Sequence, residues 1–157
     1  MCLIVDANVA AQVFNPNPSP DFAPVWRAIR DGRAVAVHGG QLTDEYAKLA
    51  TVLVLVLELE RQGRVRKVAD DPVRAATRVF EQDNRRRSDD PHILGLAQAA
   101  NVRLLCSHDQ DLHEDFKNPA LLQPAGSVYQ SASHRHLIRR HCQHTRRRRR
   151  PRRANPG

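Results

Sequence analysis

The chain of 157 residues contains few aromatic residues, little cysteine and no long apolar segment. Aromatic residues make up 4% of the sequence and hydrophobic residues 41%, so we expect a core built mainly from Leu, Val and Ala. The longest uninterrupted apolar run, Val52–Leu57, is far shorter than the roughly 20 residues that a membrane-spanning helix needs. Asp6 interrupts the first apolar segment after a handful of residues, which argues against a secretory signal. We therefore expect no membrane association.

The cysteine content argues against a disulfide-rich secreted protein. Cys2, Cys106 and Cys142 are odd in number and have no CxxC spacing, which favours a reduced, cytoplasmic protein. Four histidines lie near Cys142 without matching a common zinc motif, namely His134, His136, His141 and His144. We expect Cys142 to be a free thiol.

Acidic residues are missing from the last part of the chain. Residues 127–157 hold ten Arg and no Asp or Glu, whereas residues 1–126 carry 15 basic and 17 acidic groups, a net charge of −2. The overall charge of +8 therefore comes from the C-terminal segment, and the body is not a large basic platform for nucleic acid. We expect a folded domain over residues 1–138 and a basic, disordered tail over residues 139–157.

Short apolar segments alternate with helical patterns along the body. The apolar segments predict strands over residues 1–6, 34–37, 65–69 and 102–106. Helices are predicted over residues 7–14, 21–32, 43–62, 71–80 and 90–101, with Thr43 as the N-cap of the long third helix. Strands that are apolar throughout and separated by helices indicate a parallel sheet covered on both faces. The predicted fold is a three-layer α/β/α sandwich with a central parallel sheet of four to five strands.

Five acidic residues are predicted to lie at one edge of this sheet. Asp6 follows the first strand, and Asp109 and Asp111 follow the strand at 102–106. Glu45 and Asp90 lie in the first turns of predicted helices. Because the carboxyl ends of parallel strands share one edge, where ligands bind in such sheets, we expect these side chains to converge.

Each of these acids also has a simpler explanation when it is taken alone. An acid in a first helical turn is favoured by the helix dipole, and Asp109 and Asp111 are typical of turns. Converging carboxylates, however, repel one another, and burial raises their pKa values. A hard divalent cation such as Mg²⁺ or Mn²⁺ relieves this repulsion, and carboxylate clusters that hold such cations perform phosphodiester hydrolysis.

Four segments carry these acids in order along the chain. They are Met1-Cys-Leu-Ile-Val-Asp6-Ala-Asn8, Leu42-Thr-Asp-Glu45-Tyr46, Asp90-Pro-His-Ile-Leu-Gly-Leu-Ala97 and Leu104-Leu-Cys-Ser107-His-Asp109-Gln-Asp111-Leu112. Together they resemble the motifs of the PIN-domain ribonucleases, of bacterial and toxin-like type. The later run Gly126-Ser-Val-Tyr129 is also similar to bacterial PIN proteins, so the resemblance implies a PIN-like fold that extends to about residue 138.

The resemblance implies a metal-dependent endoribonuclease that leaves 5′-phosphate and 3′-hydroxyl ends. Its implied site comprises the catalytic, metal-binding residues Asp6, Glu45, Asp90 and Asp109, a secondary metal ligand, Asp111, and two residues that order the site through hydrogen bonds, Asn8 and Ser107. Many small bacterial members are toxins that dimerise and are inhibited by a partner protein. RNA, an antitoxin and a second copy of the chain are therefore the implied partners.

The register of two motifs is open by one residue. Asp44 precedes Glu45, and Asp89 precedes Asp90. We prefer Asp90 because it stands three residues before Ile93, as the family's Asp stands before its apolar helix.

Two basic groups in the body are candidates for contacting RNA phosphates, although solvated loops explain either one equally well. They are Arg85, Arg86 and Arg87, just before Asp90, and Arg64, Arg66 and Lys67.

Functions from other classes predict different features. The main alternative is a non-catalytic nucleic-acid-binding module that acts through the Arg-rich tail. A haloacid-dehalogenase-like phosphatase would need an acid where Asn8 stands. A response-regulator receiver would need a phosphoacceptor Asp after a middle strand and a Lys after a late one, and neither is visible.

Overall fold

The computed structural model describes residues 1–148 and contains one parallel sheet. Its strands are β1 (Leu3–Val5), β2 (Ala36–His38), β3 (Val65–Lys67), β4 (Leu104–Cys106) and β5 (Ser127–Tyr129). They pair in the order β3-β2-β1-β4-β5, and every neighbouring pair is parallel. Five strands lie within the predicted range of four to five.

Helices flank the sheet and complete a three-layer α/β/α fold, which confirms the predicted fold class. The helices within residues 1–148 are α1 (Ala7–Val13), α2 (Ala23–Arg30), α3 (Gln41–Ala47), α4 (Ala50–Arg61), α5 (Asp70–Glu81), α6 (Pro91–Ala100), α7 (Gln110–Phe116) and α8 (His136–Arg148). All three residues of β1 are fully buried, as expected for a central strand that is covered on both faces.

The strand order reverses between β1 and β4. Ile4 of β1 pairs with Val37 of β2 on one side and with Leu105 of β4 on the other. The chain therefore runs outward from β1 through β2 to β3 and then returns to the opposite side of β1. A reversal of this kind leaves a crevice at the carboxyl ends of the two strands, and this crevice is the usual ligand site of open α/β sheets.

The long helix predicted over residues 43–62 is two helices. α3 ends at Ala47, α4 begins at Ala50, and Leu49 between them has φ −113° and ψ 86°, outside the helical region. The buried residues explain the break. α3 buries Leu42 and Tyr46, but the buried stripe of α4 starts at Val52, out of phase with a continuous helix of 3.6 residues per turn. Thr43 is accordingly inside α3 and is not an N-cap.

The C-terminal part of the described chain differs from the predicted tail. α8 extends to Arg148, so residues 139–148 are helical, and the predicted boundary at residue 138 falls within this helix. Leu137 and Ile138 are buried against the core, a contact that supports the first turn of the helix. Residues 149–157, where the rest of the predicted disordered tail falls, lie outside the described residues.

The expectation that Cys142 is a free thiol is wrong. Cys142 forms a disulfide with Cys2, whose Cα atom is 5.3 Å away, within the usual range for such bonds. The sequence did not predict this pairing, because 140 positions separate the two cysteines and no local pattern connects them. Cys106 in β4 is a buried free cysteine. None of the helices within residues 1–148 has the length and apolar character needed to cross a bilayer.

A glycine in α6 allows α5 to pack unusually close to it. A Cβ atom at Gly95 would overlap Thr77 Oγ1 and would lie 2.7 Å from the Thr77 backbone nitrogen. This separation is far inside van der Waals contact, and a backbone atom cannot rotate away. The position of α5 relative to the sheet edge therefore depends on this glycine.

We expect Gly95→Ala to lower the free energy of unfolding by about 1–3 kcal/mol, the usual cost of overpacking a close contact. Chemical denaturation at equilibrium measures the change. Val79→Ala is the matched control, because Val79 is 67% exposed on the facing helix α5 and Ala favours helix formation. Equal stability of Gly95→Ala and the wild type would contradict the close packing of α5 on α6.

Candidate functional site

Asp6 is held at the carboxyl end of the central strand. Its side chain follows the buried strand β1 and is itself only 6% exposed. The Ser107 hydroxyl donates a hydrogen bond of 2.8 Å to Asp6 Oδ2. Burial raises the pKa of Asp6, and the charge of Glu45 adds to this shift, whereas the Ser107 hydrogen bond opposes it. The Asp6 carboxylate is thus held in a fixed orientation, and burial destabilises its ionised form.

Ser107 connects the ends of β1 and β4. It is fully buried, and its Oγ accepts hydrogen bonds from Asn8 Nδ2 at 3.3 Å and from the Asp109 backbone N–H at 3.1 Å. Asn8 Oδ1 in turn accepts a long hydrogen bond of 3.4 Å from the His108 backbone N–H. One hydroxyl therefore positions two of the predicted carboxylates, Asp6 and Asp109.

Asp109 has a structural contact of its own. It is the N-cap of α7, and its Oδ1 accepts a hydrogen bond of 3.1 Å from the Leu112 backbone N–H. Capping and a place at the sheet edge are compatible, because α7 begins directly after β4. Asp109 therefore has the local structural role of a helix N-cap, and its side chain also lies in the crevice.

Glu45 is fixed by a histidine that was not among the predicted site residues. His92 Nε2 lies 2.7 Å from Glu45 Oε1, and the His92 side chain is 4% exposed. His92 Nδ1 is buried and has no hydrogen-bond partner within residues 1–148. The contact joins α3 to α6 across the crevice. A lone histidine in the otherwise apolar segment 91–97 was the available signal.

Asp90 shows that the predicted carboxylates lie close together. It is the N-cap of α6 but makes no side-chain capping hydrogen bond. Its pKa is raised to about 7, first by burial and then by the charge of Asp6, by a hydrogen bond to Asp109 and by the charges of Asp109 and Glu45. A hydrogen bond between two carboxyls requires a shared proton. The structure thus brings together the four residues that were predicted from the motifs.

Asp111 is placed differently from these four. It is exposed in the first turn of α7, and no hydrogen bond or ion pair within residues 1–148 joins it to the other four carboxylates.

The structure also distinguishes the neighbouring acids in the two motifs whose register was open by one residue. Asp89 is exposed while Asp90 lies in the crevice, and Glu45 rather than Asp44 contacts His92.

The three arginines before Asp90 are largely occupied by their own chain. Arg85 forms two hydrogen bonds with Asp83, which hold the pKa of that carboxyl at about 2. Arg86 donates to the Phe80 and Ser88 carbonyl oxygens. Arg87 is exposed, and its backbone N–H is bound by a side chain from α7. Of the three guanidinium groups, only that of Arg87 has no partner within residues 1–148.

Two further buried residues support the crevice, and neither was predicted from the motifs. Asp115 is 1% exposed and accepts hydrogen bonds of 2.8 Å from the backbone N–H groups of Arg87 and Ser88. His113, also 1% exposed, has its Nε2 2.6 Å from the Ser107 carbonyl oxygen. Both lie on α7, so this helix fixes the loop before Asp90 and the turn after β4.

The donor set suits a hard divalent cation. Asp6, Glu45, Asp90 and Asp109 offer only oxygen ligands, and their mutual repulsion is the kind that a cation relieves. Within residues 1–148, no group of three or more His, Cys, Asp or Glu side chains already has the arrangement of a metal site. A cation would therefore have to draw the four carboxylates together from their present positions.

We expect the metal-free protein to lose stability as the pH rises from 4 to 7. The pKa of Asp90 is about 7 in the folded chain and 3.8 ordinarily, so its favourable contribution is complete below about pH 4 and is lost as the pH passes 7. Thermal unfolding in EDTA measures the effect. Asp90→Asn should reduce the loss, and Asp89→Asn, a change at the exposed neighbour, should not. An identical pH dependence in all three proteins would contradict the electrostatic coupling.

Comparisons of the chain with protein-family models, with curated proteins and with solved structures found no match. The fold and the residues of the crevice are therefore the basis for any functional conclusion.

Proposed function

We propose that this protein is a metal-dependent endoribonuclease that hydrolyses RNA phosphodiester bonds. The observation that carries the proposal is the convergence of Asp6, Glu45, Asp90 and Asp109 at the carboxyl ends of β1 and β4, where burial first and then the neighbouring carboxylates raise the pKa of Asp90. Four carboxylates that repel one another weaken the folded state. Their presence together in a ligand crevice therefore indicates a role in function rather than in folding. Holding Mg²⁺ or Mn²⁺ provides that role. The resemblance of the four motifs to PIN-domain ribonucleases supports the same activity.

The four carboxylates would hold the cation, which would supply an activated water and neutralise charge on the phosphate. Glu45 binds His92 through Oε1, so its other oxygen has no hydrogen bond within residues 1–148 and is available to a cation. Asp90 and Asp109 must both be ionised to act as ligands, so the proton in the hydrogen bond between them has to leave. Ser107 keeps Asp6 oriented throughout, since it donates to Oδ2 in either state.

Proposed partners and location follow from this activity. We propose RNA as substrate, a cytoplasmic location where RNA is present, and an inhibiting antitoxin protein. The Cys2–Cys142 disulfide removes the argument for the cytoplasm that was drawn from free thiols. A homodimer is also proposed, and α4 offers an apolar surface for one, because Val54 is 67% exposed and Leu57 43% exposed.

Asp6→Asn should abolish Mg²⁺- or Mn²⁺-dependent cleavage of RNA. Asn keeps an oxygen that accepts the Ser107 hydrogen bond but loses the negative charge that a cation needs. The rate should fall by more than the roughly 10- to 100-fold typical of changes outside the ligand shell. Cleavage of a labelled RNA, with and without EDTA, measures the rate.

Two controls make this result interpretable. Asp89→Asn removes an exposed charge beside the site and should cleave RNA like the wild type. Any cleavage that remains in Asp6→Asn, purified in the same way, measures contaminating nuclease. Equal metal-dependent cleavage by Asp6→Asn and the wild type, or none by the wild type, would refute the proposal. Deletion of residues 146–157 removes seven of the nine arginines of the predicted tail (139–157) and keeps Cys142, and the alternative binding module predicts that it abolishes most RNA affinity while Asp6→Asn changes nothing.

His92 should act as a positioning residue for Glu45. His92→Phe removes the donor at 2.7 Å and should weaken Mn²⁺ binding by about 10- to 100-fold. His92→Gln retains a side-chain N–H and should recover much of that affinity. Calorimetric titration with Mn²⁺ measures the binding, and thermal unfolding in EDTA reports stability separately. If His92→Phe and His92→Gln bind Mn²⁺ equally well, the hydrogen bond from His92 to Glu45 has no role in the site.

A further inference from the structure

A cavity of about 500 Å³ opens beside the carboxylates, on the same edge of the sheet. Its walls come from the start of α3, the end of β3, one face of α5, and His92 of α6. Its volume falls within the range of about 300–1,000 Å³ that is typical of ligand sites. His92 belongs to both places, because it lines the cavity and also contacts Glu45. The cavity therefore adjoins the proposed catalytic crevice at His92.

Basic side chains line this cavity and are free to bind an anion. Arg74 and Arg78 lie one turn apart on α5, and Lys67 ends β3. Lys67 and Arg78 make no ion pair or side-chain hydrogen bond within residues 1–148, and Arg74 has only an exposed contact of 3.8 Å with Asp71. This availability contrasts with Arg85 and Arg86, whose guanidinium groups are already bound.

The acidic residues that line the cavity on α5 lie one helical turn from the two arginines, and none of these lining acids forms an ion pair with Arg74 or Arg78 within residues 1–148. Asp70 is the first residue of that helix and Glu81 the last, so Arg74 and Arg78 occupy the stretch between them. Asp44 contributes the third carboxylate from α3. A mixture of cations, acceptors and an apolar surface suits a whole nucleotide better than an isolated anion, because a nucleotide presents phosphate, donor groups and a flat base.

We infer that this cavity binds the nucleotide next to the scissile phosphate of an RNA strand, with Lys67, Arg74 and Arg78 contacting its phosphate. The inference rests on the proposed function, since it places the strand across the carboxylates and into the cavity through the region of His92.

The test is RNA affinity in EDTA, where no metal-dependent cleavage occurs. The full-length double variant Arg74→Ala/Arg78→Ala is compared with Arg27→Ala/Arg30→Ala, which loses the same charge at exposed positions one turn apart on α2, outside the cavity. Fluorescence anisotropy with a labelled single-stranded RNA gives the dissociation constant over a range of salt concentrations. We expect the cavity variant to bind about tenfold more weakly, with a salt slope smaller by about 0.7 for each phosphate that is no longer neutralised. The control variant should change by less than about twofold.

The outcomes separate this inference from the proposed function. If both double variants lose affinity equally, or the cavity variant loses none, the cavity is not an RNA site even when the wild type cleaves RNA. If the wild type cleaves nothing but the cavity variant alone loses RNA affinity, the nuclease proposal fails and the RNA site stands. Where cleavage occurs, the cavity variant should raise KM and leave kcat unchanged, and thermal unfolding checks that both variants are folded.

Discussion

Electrostatic repulsion among four carboxylates is the constraint on which the rest of this structure depends. Asp6, Glu45, Asp90 and Asp109 come from four separate parts of the chain and meet where the strand order reverses between β1 and β4. Burial, together with the neighbouring carboxylates, raises the pKa of Asp90 to about 7, so the metal-free chain keeps a proton that an isolated carboxyl would have released. A folded state that bears this cost must obtain its stability elsewhere.

That stability comes from the layers around the crevice and from hydrogen bonds that hold its edges. The apolar strands are covered by helices on both faces, and the resulting core is close-packed and resists local rearrangement. Ser107, His113 and Asp115 then tie the turn after β4 and the loop before Asp90 to helix α7. Because these contacts do not depend on a cation, they hold the backbone around the crevice, and only the final approach of the four carboxylates to one another is left to a bound cation.

The sequence predicted the α/β class and, for four of the five acids expected to converge, their common place at the sheet edge, because both depend on local patterns; Asp111 is instead exposed on α7. Apolar segments alternate with helical ones, and in a parallel sheet the residue after each strand must lie at a common edge. The break at Leu49, the Cys2–Cys142 disulfide and the His92–Glu45 contact were not predictable in this way. Each depends on which faces meet in three dimensions, and a single chain contains no signal for a pairing across 140 positions.

The basic residues illustrate why charge in the sequence differs from charge available for binding. Arg85 and Arg86 form part of the densest basic run in the body, yet Asp83 and backbone carbonyls occupy their guanidinium groups. Lys67 and Arg78 are eleven positions apart, but β3 and α5 bring them to one cavity without a competing partner within residues 1–148. A polyanion gains little from an arginine that must first give up an internal hydrogen bond. RNA binding should therefore depend on where the fold leaves cations unpaired rather than on where the sequence concentrates them.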